Sequence, residues 1–503
     1  MKLNTIAVAV RFVDIGQIAI YFFIYIKKIY EGNRMTVEQP AENIQSEKIA
    51  MYMKEELSEL KKVHPRPQEL DEFFQIYQRF LKTRNTKIDW DKIEPPKGKI
   101  IDYQALEECP KENESLLNKL AVLKLNGGLG TTMGMVGPKS AIQVKNGENF
   151  IDLITRQLEY LNDKYNTSVP LILMNSFNTD ERTKKLIKHH SNIKTIHQSM
   201  YPRISSENLM PISGEQMWYP PGHGDLFRTL VSSGLLDELL NEGKEYLFVS
   251  NIDNLAATVD LKILHNFAAE GHDFCMEVTE KTRADMKGGT LIDYDGVLTL
   301  LEIAQVPNNK KSEFTSVRKF KIFNTNSIWI KLKALKEINM DEFALDIIQN
   351  KKVVNGETVI QLETAMGAAI KHFKNNCGVL VPRTRFLPIK ACSDLFLVES
   401  NLFEESNGFL YHNPKRSIKT DPIVKLLGRN FSKITEFEET FESIPDIVDL
   451  EILTVVGDVT FGKNVTLKGI VIIMAPEGSS IHVPEGSVLD DKVITGSLST
   501  TNV

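Results

Sequence analysis

An α/β fold on a mixed, mainly parallel sheet is predicted, with a helical arm ahead of it and a repetitive β region behind it. Three observations carry this. From about Leu120, short apolar runs alternate with longer amphipathic stretches, the pattern of strands joined by helices. A stretch with five glycines, "LKLNGGLGTTMGMVGPKS", begins inside one of those apolar runs. Near the C-terminus, apolar residues recur every six positions.

The N-terminal region stands apart. Thr5 to Ile26 is long and apolar enough to span a hydrocarbon core of ~30 Å as a helix. Arg11 and Asp14 lie inside it, each costing roughly 2.5–3.5 kcal/mol near a membrane centre. About a dozen apolar residues offset a similar sum, so insertion is near break-even. The favoured expectation is a cytoplasmic protein with a dispensable extension and Met35 as an alternative start. Membrane contact through Thr5–Ile26 is the less favoured alternative. Next, Glu47 to Lys82 predicts helices with a mixed charged face, broken by "HPRPQ" near Pro65 and Pro67. This reads as an arm, not a catalytic element. "DWDKIEPPKGKIIDY" reads as a linker.

The strands and helices of the α/β region follow in order. "AVLKLN" is a strand and "FIDLITRQLEYLNDKY" a helix; "VPLILMNS" is a strand and "DERTKKLIKHH" a helix. "EYLFVSNID", "DFCMEV" and "KFKIFNTNSIWI" are further strands. "GTLIDYDGVLTLLEIAQV" is a hairpin about Asp295-Gly296. At the C-terminus, Val459, Val465 and Val471 form one six-residue series, and Phe461, Leu467 and Ile473 another. That repeat predicts β-helix coils, continued through "IHVPEGSVLDDKVI", with a small β-meander as the alternative. An open coil end invites pairing with another chain.

Composition bounds the function. The chain has 503 residues, 42% hydrophobic and 25% charged, enough for roughly three domains. A net charge of −6 gives no general case for nucleic-acid binding. The four cysteines are widely spaced, with no CxxC, which argues against a disulfide framework or a cysteine zinc site. No Ser/His/Asp order and no HExxH occurs, and no close carboxylate pair stands out.

Three clusters carry chemistry. The first is the glycine stretch. Ligands of open α/β sheets sit beyond the carboxyl ends of the strands. Glycines there let main-chain N–H groups converge on phosphate oxygens. Lys139, after Pro138, adds a point charge. The stretch is neither a Walker A nor a clean GxGxxG, so a tight strand-to-helix turn remains an alternative. The second is "EYLFVSNIDNLAATVD", where a strand ends in Asn251, Asp253 and Asn254. Such a carboxylate can hold Mg²⁺ with water and phosphate completing the shell, or serve as a helix cap. The third is "WYPPGHGDLF". Gly222 and Gly224 free the backbone around His223, which can donate to a phosphate or sugar hydroxyl or be satisfied within its own turn. Together these suit holding and neutralising phosphates better than supplying a nucleophile.

These motifs, with "NSFNTDE", "QSMYPRI", "TRADMKGGTL", "EIAQVP", "VIQLETAMGAAI", "RFLPIKACSDL", "FESIPDI" and "GDVTFGKNVTLKG", closely resemble the eukaryotic UTP–glucose-1-phosphate uridylyltransferase family from about residue 45 to the end. The resemblance implies a Rossmann-like nucleotidyltransferase domain and a C-terminal left-handed β-helix used for self-association. It divides the chain into an apolar extension (1–34), helical arm and linker (35–119), catalytic domain (120–400), and linker with β-helix (401–503). It implies that UTP and glucose 1-phosphate, with Mg²⁺, give UDP-glucose and pyrophosphate. Leu125, Asn126, Gly127 and Gly128 would contact base and ribose, and Gln198 and Gly222 would help read the uracil. Lys139 and Lys390 would contact phosphates as the catalytic cations. Gly127, Gly128, His223, Asn251, Ile252 and Asp253 would meet the sugar phosphate, with Asp253 also on the metal. Asn326 would bind glucose, and Glu363 is a further sugar candidate. Val136 departs from the family pattern, which often has lysine there, and residues 1–35 have no counterpart. The alternatives are a pyrophosphorylase for another sugar, such as a UDP-N-acetylhexosamine, or a silent nucleotide-sugar-binding scaffold.

Overall fold

The computed structural model describes residues 38–190, 192–282, 285–286 and 288–496. The apolar segment Thr5–Ile26 lies outside the described residues. Among the described residues, no helix is long and apolar enough to cross a membrane.

The centre is an eight-stranded sheet. Its spatial order is Ile100–Asp102, Asn376–Leu380, Phe274–Glu280, Ile322–Lys331, Tyr246–Asn251, Leu120–Asn126, Leu171–Asn175 and Ile193–His197. Only Ile322–Lys331 runs antiparallel to its neighbours. The sheet is therefore mixed and mainly parallel, as the alternation predicted. Strand Leu120–Asn126 shows why it is apolar throughout. Leu120 and Val122 pack into the core on one face, and Ala121, Leu123 and Leu125 into the core on the other. A strand covered on both faces needs no polar alternation.

From Leu120–Asn126 the chain moves outward to Leu171–Asn175 and Ile193–His197. It then returns to Tyr246–Asn251 on the opposite side of Leu120–Asn126. That reversal opens a crevice beyond the carboxyl ends of Leu120–Asn126 and Tyr246–Asn251, where ligands of such sheets bind. The first crossover uses helix Phe150–Tyr165, with the bounds the sequence suggested. Asn149 caps it, accepting from the N–H groups of Ile151 (2.8 Å) and Asp152 (3.2 Å).

The predicted hairpin is present. Thr290–Tyr294 pairs with Val297–Leu301, and Asp295 and Gly296 both take positive φ (52° and 82°). The linker reading of residues 89–103 is corrected. Ile93–Glu94 pairs with Thr290–Tyr294, and Ile100–Asp102 adds an edge strand to the main sheet. The prolines punctuate this segment, but its isoleucines still find strand partners.

Helices Glu38–Leu60 and Glu69–Thr83 form the arm, broken where the prolines predicted. Met53, Leu57, Leu70, Phe73, Tyr77 and Phe80 pack against Tyr201, Ile204, Tyr219, Ile360 and Leu362. At the other end, Ile423–Leu427, Leu450–Val456, Thr466–Met474 and Val488–Asp490 form a parallel ladder, and Asp458–Phe461 pairs in parallel with Ser480–Val483. Both six-residue series are fully buried in one core that continues into the main domain. Ile423, Leu427, Ile470, Met474 and Val493 stay exposed on the outer side.

Candidate active site

The glycine stretch is a folded element. Leu129 bridges Pro138, Gly130 N–H donates to Gly137 (3.2 Å), and Lys139 N–H donates to Gly128 (3.1 Å). Gly127 has no room for a side chain, since a Cβ there would stand 2.9 Å from Gln198 Oε1. Gln198 thus lies over the loop, with its own N–H donating to Asn175 (2.8 Å). Gly128 faces open space. Asn126 turns inward instead: its carboxamide donates to Asn175 (2.7 Å) and Thr183 (2.9 Å), and the residue is fully buried. Asn126 therefore braces the loop base and offers the crevice only main chain. Leu125 likewise packs its side chain into the core. At the outer end, Val136 is exposed and its carbonyl accepts from Arg182, so a cation reaches this position from the neighbouring helix.

The charged centre joins three segments. Lys139 Nζ donates to Asp253 Oδ2 at 2.6 Å, and both side chains are mostly buried. The other oxygen, Asp253 Oδ1, is buried with no hydrogen-bond partner. An anionic oxygen left bare in a buried place calls for a cation or donor from outside the chain. The Lys390 segment is tied to the same loop. Ile389 N–H donates to Asp253 O (3.0 Å), Asn254 Oδ1 accepts from Leu387 N–H (2.9 Å), and Asn254 Nδ2 donates to Arg385 O (3.3 Å). Lys390 itself is exposed, and its N–H donates to Asp394 (2.7 Å). Burial pushes the Asp394 carboxyl up, while two backbone N–H groups and the charges of Lys139 and Lys390 pull it back. Both lysines therefore share one local field.

The residues assigned to the sugar and its phosphate are mostly uncharged. His223 Nδ1 accepts from Met366 N–H at 3.0 Å, and burial pushes the ring down to about 4. The imidazole is then uncharged at neutral pH, and its proton sits on Nε2 as a donor. Gly222 has φ 87° and lies against Thr364, where a Cβ would come 2.8 Å from the carbonyl oxygen. Asn326 has φ 61°, beside an irregularity where Ile322–Lys331 pairs with Phe274–Glu280 between Glu277 and Val278. Such bulges re-aim side chains next to active sites. Asn326 Nδ2 donates to Asn251 Oδ1 at 2.8 Å, which joins two of the residues assigned to the sugar. Ile252 differs: its side chain is in the core, and its N–H donates to Leu125 O (3.2 Å). Glu363 accepts from Asn350 (2.8 Å) and is raised by burial.

One candidate was missed in the sequence. Glu302 is pushed up to about 7 by burial, and its carboxyl fits against Gly289, whose carbonyl accepts from Asn324 N–H (2.9 Å). The Gly288-Gly289 pair ahead of the hairpin was the available signal, because a bulky neighbour explains a glycine there.

A family model described as UTP–glucose-1-phosphate uridylyltransferase matches residues 70–468. The chain belongs to that family. It is 61% identical to the Encephalitozoon cuniculi UTP–glucose-1-phosphate uridylyltransferase over 456 residues, covering 90% of this chain and 92% of that one. The Saccharomyces cerevisiae member is 51% identical over 447 residues, covering 86% and 88%. Among solved structures, a Leishmania major UDP-glucose pyrophosphorylase variant in complex with UDP-glucose matches with TM-score 0.80 and 32% identity, covering 90% and 99%. Family membership fits the geometry: the charged Lys139–Asp253 pair and the Asn251–Asn326 hydrogen bond lie close together in sequence at the carboxyl end of Tyr246–Asn251.

Proposed function

We propose that the protein makes UDP-glucose and pyrophosphate from UTP and α-D-glucose 1-phosphate. The observation that carries this is the Lys139–Asp253 pair at the sheet's reversal point, with Asp253 Oδ1 bare and Lys390 anchored alongside. A phosphate oxygen of the sugar phosphate attacks the α-phosphorus in line. The new P–O bond forms as the bond to the β-phosphate oxygen breaks, and pyrophosphate leaves with that electron pair. No protein nucleophile is required. Lys139 and Lys390 offset the negative charge that builds on the transferred group and leaving pyrophosphate. Main-chain N–H groups near Gly128 and the Nε2–H of His223 orient the phosphates, and Asn251 with Asn326 orients the sugar. Holding both substrates in one crevice supplies proximity.

Mg²⁺ fits the same place. Among the described residues, no cluster of three or more His, Cys, Asp or Glu is arranged to hold a metal, so Asp253 would share the ion with phosphate oxygens and water. Bound there, the ion would supply charge neutralisation at the phosphates. The C-terminal ladder is assigned as a left-handed β-helix used for self-association, supported by its buried six-residue series and exposed apolar outer side. The domain boundaries near 34, 119 and 400, and a cytoplasmic place of action, belong to the same reading.

The test is pyrophosphate release from UTP and glucose 1-phosphate, with and without Mg²⁺, alongside N-acetylglucosamine 1-phosphate. Mg²⁺-dependent release with the glucose substrate is expected. Preference for the N-acetylated sugar would overturn the substrate assignment. Lys390→Ala should lower kcat roughly 10²–10³-fold in a folded protein, as losing one preorganised charge donor does. Near-normal turnover would refute the role of Lys390.

A further inference from the structure

The arm reads from sequence as a non-catalytic appendage, yet its polar residues grip the backbone on which Gln198 sits. His64 is completely buried; its Nε2 donates to Met200 O (2.9 Å), and its Nδ1 accepts from Arg66 N–H (3.1 Å). Arg66 Nη2 donates to Gln198 O (2.8 Å), and its Nε pairs with Glu69 Oε1 (2.8 Å). Glu69 Oε2 accepts from Met200 N–H at 2.8 Å. From the other side, Asn175 O takes the Gln198 N–H (2.8 Å), and Asp225 takes the Ser199 N–H (2.7 Å) and hydroxyl (3.1 Å). The main chain from Gln198 to Met200 is thus fixed between two parts of the molecule.

An apolar seam already docks the arm through Phe73, Tyr77 and Phe80. Adding an ion pair to it has an energetic cost, visible in Glu69, which burial pushes up to about 7. Apolar contacts tolerate sliding, whereas charge-assisted hydrogen bonds to specific carbonyl and N–H groups do not.

We propose that Arg66 and Glu69 are positioning residues for the nucleotide: by fixing the Gln198–Met200 backbone they hold the Gln198 carboxamide over Gly127, where the base of the uridine nucleotide lies. This rests on the reading that Gln198 meets the base. Arg66 touches no substrate and acts only through Gln198.

The test is a double-mutant cycle on the full chain with Arg66→Ala and Gln198→Ala, measuring kcat and both KM values. Arg66→Ala should raise the KM for UTP roughly tenfold, the cost of a hydrogen bond to a charged group, while kcat and the KM for glucose 1-phosphate stay within about twofold. In the Gln198→Ala background the same change should add little. Equal changes in both KM values, or full additivity, would overturn the proposal. If Gln198→Ala leaves the KM for UTP unchanged, the underlying reading of Gln198 fails. If Gln198→Ala raises it and Arg66→Ala does not, only the clamp fails. Glu69→Gln, which keeps the shape and the acceptor for Met200 N–H, provides a second variant should Arg66→Ala not fold; it should raise the KM for UTP roughly threefold, and an unchanged value overturns the proposal.

Discussion

The candidate site draws on two sets of residues built on opposite principles, an ionic wall and a neutral one. One is ionic: Lys139 and Asp253 meet at 2.6 Å, with Lys390 anchored nearby through its backbone. The other is neutral: His223 is held uncharged, and Asn326 and Asn251 hydrogen-bond to each other. A transferring phosphoryl group changes its charge distribution during reaction, and a sugar ring does not. The ionic wall can therefore interact differently with ground and transition states, whereas the neutral wall interacts nearly equally with both. On the proposed function, rate then rests on the charged set and sugar selection on Asn251 and Asn326.

The largest effect should come from breaking the ionic wall. Asp253→Asn keeps the shape but removes the charge beside the bare oxygen. We expect kcat to fall roughly 10²–10³-fold, with little change in the KM for glucose 1-phosphate. The variant should also lose most of its response to added Mg²⁺, measured by titrating the metal at saturating substrates. A retained Mg²⁺ response would place the metal elsewhere.

The neutral wall should answer differently. Asn326→Ala removes one side of the Asn326–Asn251 pair and leaves Asn251 Oδ1 without its 2.8 Å donor. The KM for glucose 1-phosphate should rise roughly tenfold, from the lost contact and the unpaired neighbour, with kcat within about threefold. A kcat loss as large as that of Asp253→Asn would erase the distinction between the walls. Asn326→Gly separates backbone from side chain, because glycine accepts φ 61° without strain and alanine does not.

The same contrast explains what the sequence reveals. Lys139 and Asp253 are legible because they follow strands whose period and burial can be read directly, whereas Lys390 is reached only through the family resemblance. Leu120–Asn126 is apolar on both faces, so the glycines after it stand at a carboxyl end. Asp253 stands likewise after Tyr246–Asn251. The neutral wall depends on backbone details that no periodicity encodes. Asn326 reaches Asn251 through a positive φ and a register irregularity. The His223 tautomer is set by Met366, 143 residues away in sequence. Ile252 was assigned to the site by its neighbours in the motif, but a branched apolar side chain beside a core is drawn inward. The Arg66–Glu69 grip on Gln198 was hidden for another reason. Charged residues in a proline-broken turn and the helix start after it usually mean solvent, and only the fold brings Arg66 and Glu69 to residues more than a hundred positions away.

Glu302 gives the smallest expected effect and sharpens the comparison, because it and Glu363 are carboxylates raised by burial among otherwise uncharged residues. Burial pushes it up to about 7, well above its usual range near 4.3 in an unfolded chain. The folded state therefore keeps this proton at pH values where the unfolded chain has lost it. Its contribution to stability is full below about pH 4.3 and lost as the pH rises through about 7. The ligand-free protein should lose about 2 kcal/mol between pH 5 and 7 through this group, read from urea midpoints. Glu302→Gln, which resembles the protonated acid, should flatten the curve over that window. A curve that keeps its slope in Glu302→Gln would show that Glu302 is ionised in the folded protein. A charge would then stand among those uncharged residues, and the division into an ionic and a neutral set would not hold.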